Sequence, residues 1–192
     1  MVDLIGEVLA AMATDSSRLV QEAALTSMDR VRAKQSVDRF RAILKKGTLE
    51  EKVCIVYTAG EIAGGEGIAL LLEALSDKAY EVRGAAVRAL LPLQTPVVLR
   101  ALWDMIPKEK NGVVLGNIVE VFGASGRKEL SPHIEKYLSH PEVEVRAKAI
   151  IAVSRLTDGA GWEKILALRG DPNEMIRAAV AEGLGNWTFS RP

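Results

Sequence analysis

The 192-residue chain carries 25 lysine and arginine residues against 25 aspartate and glutamate residues, and 48% of its residues are apolar. This length and composition are those of a folded soluble protein that has enough apolar residues for one domain with a substantial core. The formal net charge of zero excludes a general electrostatic field for nucleic acid or an anionic membrane, so we expect neither as a partner.

Cysteine usage and hydropathy indicate the cellular compartment. The single cysteine, Cys54, excludes an internal disulfide framework and suits a reducing environment, and its apolar neighbours predict a packed side chain. Apolar runs are interrupted by charge or glycine well before the roughly 20 residues that a membrane-spanning helix needs. Residues 1–12 contain no basic leader of the kind that begins a secretory signal. We therefore expect a cytoplasmic protein.

A unit of about 31 residues recurs along the whole chain. We mark each unit by the first residue of its Val-Arg pair, or by the equivalent position, and the markers are Val20, Glu51, Val82, Val114, Val145 and Ile176, spaced 31, 31, 32, 31 and 31 residues apart. Positions four, five and eight after the marker are apolar in all six units, which places an apolar stripe along each helix. Position seven is mostly small, which allows a neighbouring helix to approach closely.

A second helical segment precedes each marker helix, so every unit is predicted to be a helical hairpin. In chain order the preceding segments are 2–13, 36–45, 67–75, 96–106, 130–139 and 162–169. Pro96 and Pro132 suit the first turn of a helix, where the missing N–H costs no internal hydrogen bond. Valine-rich and isoleucine-rich stretches show helical spacing and not alternation, so no strand is expected. The pattern predicts an all-α fold, an α-solenoid of about six hairpins that forms a single domain over residues 1–192.

The turn before the marker helix carries the most specific pattern. An acidic residue is followed five and six positions later by an apolar-Arg pair and then by small residues, as in Asp77 with Val82-Arg83 and in Asp171 with Ile176-Arg177. This unit resembles the HEAT-like repeats associated with phycobilisome lyases, and the resemblance covers nearly the whole chain. It implies an armadillo-like α-α superhelix.

In the family that this unit resembles, the acid and the arginine are structural and form a ladder between adjacent repeats. The resemblance therefore implies a structural inter-repeat ladder at Asp77, Arg83, Arg146, Asp171 and Arg177. Units two and four depart from the pattern, with Lys46 and Lys52 in one, and Glu109 and Leu115 in the other. We expect the middle of the solenoid to be held more by apolar contact than by ionic bridges.

Residues for catalysis or metal binding are sparse. His133 and His140 are two turns apart on one predicted helix and could reach a metal together with Glu135 or Glu142, but surface or capping roles are favoured for two histidines with so few other ligands. The glycines of residues 60–67 lack the preceding strand and the Lys-Ser/Thr of a phosphate-binding loop. We predict no catalytic residue, no metal and no cofactor, and hence a protein that is not an enzyme.

The exposed face of the marker helices is the best candidate for a binding surface. It lies at positions two, six and nine after the marker, and the resemblance places it on the concave side of the solenoid. Because stacked helices lie about 10 Å apart, equivalent residues form a continuous groove. The predicted partner-binding residues are Val53, Tyr57, Arg88, Leu91, Glu120, Ile151 and Glu182. Tyr57 and Arg88 are the first choices, because tyrosine is enriched at interface hot spots and arginine binds carboxylates bidentately.

These features favour a non-enzymatic scaffold or adaptor that binds a protein partner along the concave groove. The alternative, which rests on the repeat resemblance, is a bilin-lyase-like or chromophore-handling protein. Nucleic-acid binding, as in HEAT-like glycosylases, is disfavoured because the groove positions hold few lysines and arginines. Trp187 and Phe189 follow the last helix and either cap the solenoid or form an end-to-end contact, so we expect a monomer or a weak homodimer through a terminal repeat.

Overall fold

The structure, a computed structural model, describes residues 2–62, 65–157 and 161–186, and these residues form eleven α-helices and no strand. The helices are α1 Val2–Met12, α2 Arg18–Lys46, α3 Leu49–Glu61, α4 Gly65–Ala74, α5 Tyr80–Leu90, α6 Pro96–Met105, α7 Gly112–Ala124, α8 Ser131–Glu135, α9 Val143–Leu156, α10 Trp162–Leu166 and α11 Glu174–Gly185. Short 3-10 turns are Ile106–Lys108, Lys128–Leu130, Lys136–Ser139 and Ala167–Gly170. The all-α prediction is confirmed.

The chain divides into two compact regions, residues 1–51 and 52–192. In the first region, α1 packs on α2. The structure differs from the prediction here, because α2 runs without a break through 29 residues and contains both the first marker helix and the predicted segment 36–45. The stretch between Asp29 and Val37 holds no glycine or proline and is rich in good helix formers, so nothing in it ends the helix.

The second region, residues 52–192, is built on a layer of consecutive marker helices. Helix α5 packs on α7, α7 on α9 and α9 on α11, while α4, α8 and α10 each pack on the marker helix of their own hairpin. The markers Val82, Val114, Val145 and Ile176 are each 0% exposed. The predicted apolar stripe is therefore the core of this region.

Local signals explain where these helices begin. The Thr95 side chain accepts a hydrogen bond from the Val98 N–H at 3.3 Å, with Pro96 in the first turn of α6. Asn111 caps α7 in the same way through the Val114 N–H at 3.2 Å. Gly126 and Gly161 have φ values of +66° and +82°, a region that favours glycine, and each lies just before a first helix of a hairpin.

The structure bears on two further expectations, one about membrane-spanning helices and one about Cys54. Within the described ranges, no helix combines the length and the hydropathy that crossing a membrane requires. Cys54, which we expected to be packed, is exposed. Trp187 and Phe189 lie outside the described residues.

Candidate functional site

The turn before each marker helix is closed by its own side chains. The residue five positions before the marker accepts a hydrogen bond from the backbone N–H two residues later, in the manner of an Asx turn. This contact is 2.8 Å long for Asp15, Asp77, Glu109 and Asp171, and 3.2 Å for His140, whose Nδ1 accepts. Five of the six units therefore share one turn, although the accepting group is an aspartate, a glutamate or a histidine.

The arginine after the marker holds the same turn from the other side. Arg83 Nη1 donates to the carbonyl oxygens of Asp77 and Lys78 at 2.9 and 3.0 Å. Arg146 Nη1 donates to His140 and Pro141 at 2.8 and 3.0 Å, and Arg177 Nη1 donates to Asp171 and Pro172 at 2.9 and 3.0 Å. The recurring arginine thus fixes the entry of the chain into its own helix.

Two of the turns are also linked to a neighbouring repeat. Lys52 Nζ lies 2.7 Å from Asp77 Oδ2, which joins units two and three. Arg83 donates bidentately to Glu109, from Nε to Oε2 at 2.7 Å and from Nη2 to Oε1 at 2.8 Å, which joins units three and four. The Glu109 side chain is only 1% exposed. Contrary to our expectation for the middle of the chain, ionic bridges occur there, because Lys52 and Glu109 keep the charges of the residues that they replace.

The remaining residues of the expected ladder behave differently. Among the residues that the structure describes, the polar side-chain contacts of Arg146, Asp171 and Arg177 all lie within their own turns. The Asp171 carboxylate accepts from the Asn173 N–H at 2.8 Å, and the arginine of the preceding repeat, Arg146, donates to its own turn. These three residues therefore close turns and do not bridge repeats.

The bridging pairs shift the pKa values of their members. Burial by itself would raise the pKa of the Glu109 carboxyl, but hydrogen bonds from Arg83 and the Asn111 N–H, together with the charge of Arg83, hold it below its ordinary value. Burial would also raise the pKa of the Asp77 carboxyl, but hydrogen bonds from Lys52 and the Ala79 N–H outweigh this effect. The pKa of Asp77 is therefore lowered as well. The hydrogen bond to Glu109 raises the pKa of Arg83, which keeps the guanidinium charged. These shifts arise from structural contacts and do not indicate catalysis.

Three of the predicted binding residues come together at a cavity between α7, α9 and α11. The cavity has a volume of about 310 Å³, and Glu120, Ile151 and Glu182 all line it. Its floor is made of small or apolar side chains, namely Ala147, Ile151, Ala152, Met175, Ala178 and Ala179. Met175 is 51% exposed, so an apolar surface is open to a ligand here.

The charges around this cavity, which we call the Ile151 cavity, are arranged unequally. Lys148 Nζ lies 2.6 Å from Asn117 Oδ1, 3.1 Å from Glu120 Oε2 and 3.8 Å from Glu144 Oε1. Asn117 is itself 4% exposed and donates to the Gly84 carbonyl at 3.3 Å, so Lys148 is held in place. At the other end, Arg155 and Glu182 are 4.0 Å apart and both largely exposed, which makes their pairing weak and exchangeable.

Tyr57 and Arg88 form a separate cluster. Arg88 Nη2 donates to Tyr57 Oη at 2.9 Å, and both residues line a second cavity of about 430 Å³ together with Glu61 and Pro92. Val53 and Leu91 are half-buried and line neither of these two cavities. The structure therefore divides the seven predicted residues into two groups and two outlying positions.

The sequence pattern missed part of the open face. Lys148 and Arg155 lie three and ten positions after their marker, whereas we predicted positions two, six and nine. On α9, position nine is covered, because Ser154 is only 2% exposed. On a helix, positions three and ten lie on the opposite side of position six from position nine. Charged residues at those two positions of α9 were the signal that could have revealed the rotated face.

The two histidines have other roles in the structure. The His133 ring meets Trp103 edge-on, with ring centroids 4.7 Å apart, and His140 closes a turn. In the part of the chain that the structure describes, no group of three or more His, Cys, Asp or Glu side chains could hold a metal ion.

The stacked hairpins and their lateral groove define a helical-repeat protein of HEAT- and armadillo-like fold. No family model matches the chain, and no curated protein sequence is significantly similar to it. Solved structures do match. One is the complex of CpcE and CpcF of phycocyanin lyase from Nostoc sp. PCC7120, with a TM-score of 0.57 and 19% identity over 94% of this chain and 76% of that chain. Another is a designed armadillo repeat protein in complex with the peptide (KR)4, with a TM-score of 0.51 and 15% identity over 96% of this chain and 99% of that chain. At these identities the similarity shows the fold, and it confirms the predicted HEAT-like repeat architecture.

Proposed function

We propose that this protein is a non-enzymatic scaffold or adaptor that binds a protein segment along α7, α9 and α11. The Ile151 cavity is the observation that carries the proposal, because an apolar floor between fixed and exchangeable charges suits a peptide and offers no reactive group. The fold similarity supports it, since the two similar structures described above are complexes with a protein or a peptide.

The chemistry of the cavity indicates what the segment contains. An apolar side chain fits against Ile151 and Met175, and a cation on the segment can take Glu182 from its weak pairing with Arg155. The similar armadillo design holds a peptide of lysine and arginine. Here Lys148 and Arg155 also line the cavity, so a segment with both apolar and basic residues fits better than a purely basic one.

Photocrosslinking tests this proposal directly. A benzophenone amino acid at Ala178, which is exposed at the cavity, should capture a partner in cells, whereas the same group at Val97, an exposed position on α6, should not. Adding Ile151→Asp should reduce the captured partner at least about tenfold, because a buried charge opposes an apolar side chain.

The matched control is Val97→Asp, which introduces the same charge on another exposed apolar position. A double Tyr57→Ala/Arg88→Ala variant measures whether the partner also reaches the second cavity. Equal capture by the wild type and Ile151→Asp, with both proteins folded by circular dichroism, would contradict the site assignment.

Self-association through a terminal repeat is part of the same proposal. Four apolar residues of α1 share one helical face and are exposed, namely Leu4 (62%), Ile5 (46%), Val8 (50%) and Met12 (43%). An exposed apolar face of this kind favours a contact with a second copy of the chain.

We expect a concentration-dependent dimer by light scattering coupled to size exclusion. Val8→Lys should shift the chain to a monomer, because it places a charge in the middle of the apolar face. Glu7→Lys, a neighbouring exposed position off that face, serves as the control. A monomer at all concentrations in the wild type would exclude this contact.

The alternative of a bilin-lyase-like protein is favoured by the fold similarity to phycocyanin lyase. Incubation with a free bilin and an acceptor protein distinguishes it from a scaffold. A covalent adduct with a changed absorbance spectrum would replace the scaffold proposal, and an unchanged spectrum would support it.

A further inference from the structure

A second kind of cavity lies among the first helices of two hairpins, away from the Ile151 cavity. It has a volume of about 540 Å³ and is bounded by α6 with the turn Ile106–Lys108, and by α8 with the turn Lys136–Ser139. This volume is within the range of ordinary small-molecule sites. None of the residues that line it lines the Ile151 cavity.

Its walls are aromatic to a degree that is unusual for this chain. The sequence holds only three Trp, three Tyr and three Phe residues, and one of each lines this cavity. Phe122 and Ile134 are each 1% exposed and form a floor that belongs to the core. Tyr137 is also buried, so this side of the cavity is already formed in the free protein.

Trp103 is held by ring contacts on two sides. Its centroid lies 6.0 Å from that of Phe122, and its ring is nearly perpendicular to His133 at 4.7 Å. Such contacts fix the orientation of the indole, and Trp103 remains half-exposed. The cavity thus presents a fixed aromatic surface against which a planar apolar group can pack.

The rim of the cavity is positively charged. Lys108 and Lys136 are both exposed, and no carboxylate among the described residues forms an ion pair with either of them. Asp104, the one acidic residue in the lining, pairs with Arg100 at 3.0 Å, so its charge is shared with a cation outside the lining and the two lysines outnumber it at the rim. Lys136 Nζ lies 5.0 Å from the centre of the Tyr137 ring, so its charge is held over the aromatic wall.

We propose that this cavity, formed by Trp103, Tyr137, Lys108 and Lys136, binds a small aromatic carboxylate. The ring of the ligand packs against Trp103 and Tyr137, and its carboxylate faces the two lysines. Apolar walls supply most of the contact area, and the lysines select an acid over its neutral analogue. The inference concerns a different surface from the proposed protein-binding groove and does not depend on it.

Titration with 2-naphthylacetate and with the neutral 2-naphthylacetamide tests the proposal, with binding followed by ligand-observed NMR. We expect saturable binding of the acid and about tenfold weaker binding of the amide, and a reduced difference at high salt. The variant Lys108→Met/Lys136→Met should bind both compounds equally. Lys110→Met, which removes a lysine that does not line the cavity, should behave like the wild type.

Trp103→Leu should weaken the binding of both compounds, since it removes the aromatic surface and leaves the lysines in place. The lysine variants keep the test decisive if Trp103→Leu fails to fold, because both lysines are exposed. Absence of saturable binding in the wild type, or equal affinity for acid and amide, would overturn the proposal. A negative result here would leave the protein-binding proposal unaffected, because that proposal rests on the Ile151 cavity and no residue lines both cavities.

Discussion

Glu109→Gln is expected to lower the free energy of unfolding by about 3 kcal/mol at pH 7. The side chain of Glu109 is 1% exposed and that of Arg83 is 19% exposed, so the ion pair between them is largely shielded from water. Glutamine keeps the shape of the side chain and one acceptor oxygen, but it removes the charge that balances Arg83. An arginine side chain stays protonated throughout the pH range in which proteins fold, so the guanidinium keeps its charge in the variant and loses its bidentate carboxylate partner.

The size of this effect should depend on pH in a defined direction. The pKa of Glu109 is lower in the folded protein than its ordinary value, so its contribution to stability is present above the unfolded pKa of about 4. That contribution is lost as the pH falls through the folded pKa, where the protonated carboxyl no longer differs in charge from glutamine. The difference between the wild type and Glu109→Gln should therefore shrink from pH 5 downward. Asp77 titrates in both proteins and does not alter this difference.

Urea unfolding followed by circular dichroism between pH 7 and pH 3 measures both quantities. Glu129→Gln is the matched control, because the Glu129 side chain is 69% exposed and only 3.7 Å from Arg127. Its stability should stay within about 0.5 kcal/mol of the wild type. An unchanged midpoint for Glu109→Gln at pH 7 would show that the bridge contributes little, and a difference that does not shrink between pH 5 and pH 3 would show that charge is not its cause.

The helical-repeat fold was predictable because its information is local and repeated. The markers Val82, Val114, Val145 and Ile176 recur at nearly constant spacing, and all four are fully buried. A single weak unit could be misjudged, but the period combines the evidence of six units. The continuous helix α2 was not predicted, since hairpin periodicity suggested a turn where the sequence holds no residue that breaks a helix.

The bridges between repeats were predictable only in terms of charge. The resemblance to HEAT-like repeats implied a ladder at five Asp and Arg residues, of which Asp77 and Arg83 bridge to neighbouring repeats. Geometry requires a cation after one marker and a carboxylate in the next turn, and Lys52 and Glu109 satisfy this requirement with other residue types. The binding face was found in part, because the positions covered by adjacent helices depend on packing angles that the sequence of one helix does not contain.

Units four and five are joined by close packing where the charged bridge is missing. Leu115 and His140 occupy the positions that hold Arg83 and Glu109 at the preceding step, so the ion pair at the turns cannot form between these two units. Instead Gly123 of α7 lies directly against Ala152 of α9, and a Cβ atom at Gly123 would lie 2.6 Å from both the Cα and the Cβ of Ala152. Asn117 and Lys148 add a hydrogen bond of 2.6 Å across the same pair of helices. Lys148 also pairs with Glu120 of α7 at 3.1 Å, so an ionic contact remains along the helices, while close helix approach takes the place of the bridge between the turns.

Gly123→Ala is therefore expected to destabilise the protein by about 2 kcal/mol and to lower the melting temperature by roughly 4–8 °C. The clash involves the backbone of α9, so rotation of a side chain cannot relieve it and the two helices must separate. The gain in helix propensity from replacing glycine, about 1 kcal/mol, offsets only part of this cost. Ala152→Gly in the same chain should restore only part of the loss, because the Ala152 Cα remains in contact.

Gly84→Ala provides the opposite case on the same layer of helices. Gly84 is also buried in a marker helix, but a Cβ atom there would lie 3.6 Å from Val114 Cγ2, which is an ordinary contact. Alanine at this position should leave stability unchanged or raise it by up to about 1 kcal/mol. Thermal unfolding of the two variants side by side separates close packing from helix propensity, since propensity alone predicts that both substitutions stabilise the protein. Equal melting temperatures would mean that α7 and α9 can move apart without cost, and close approach would then not be what joins units four and five.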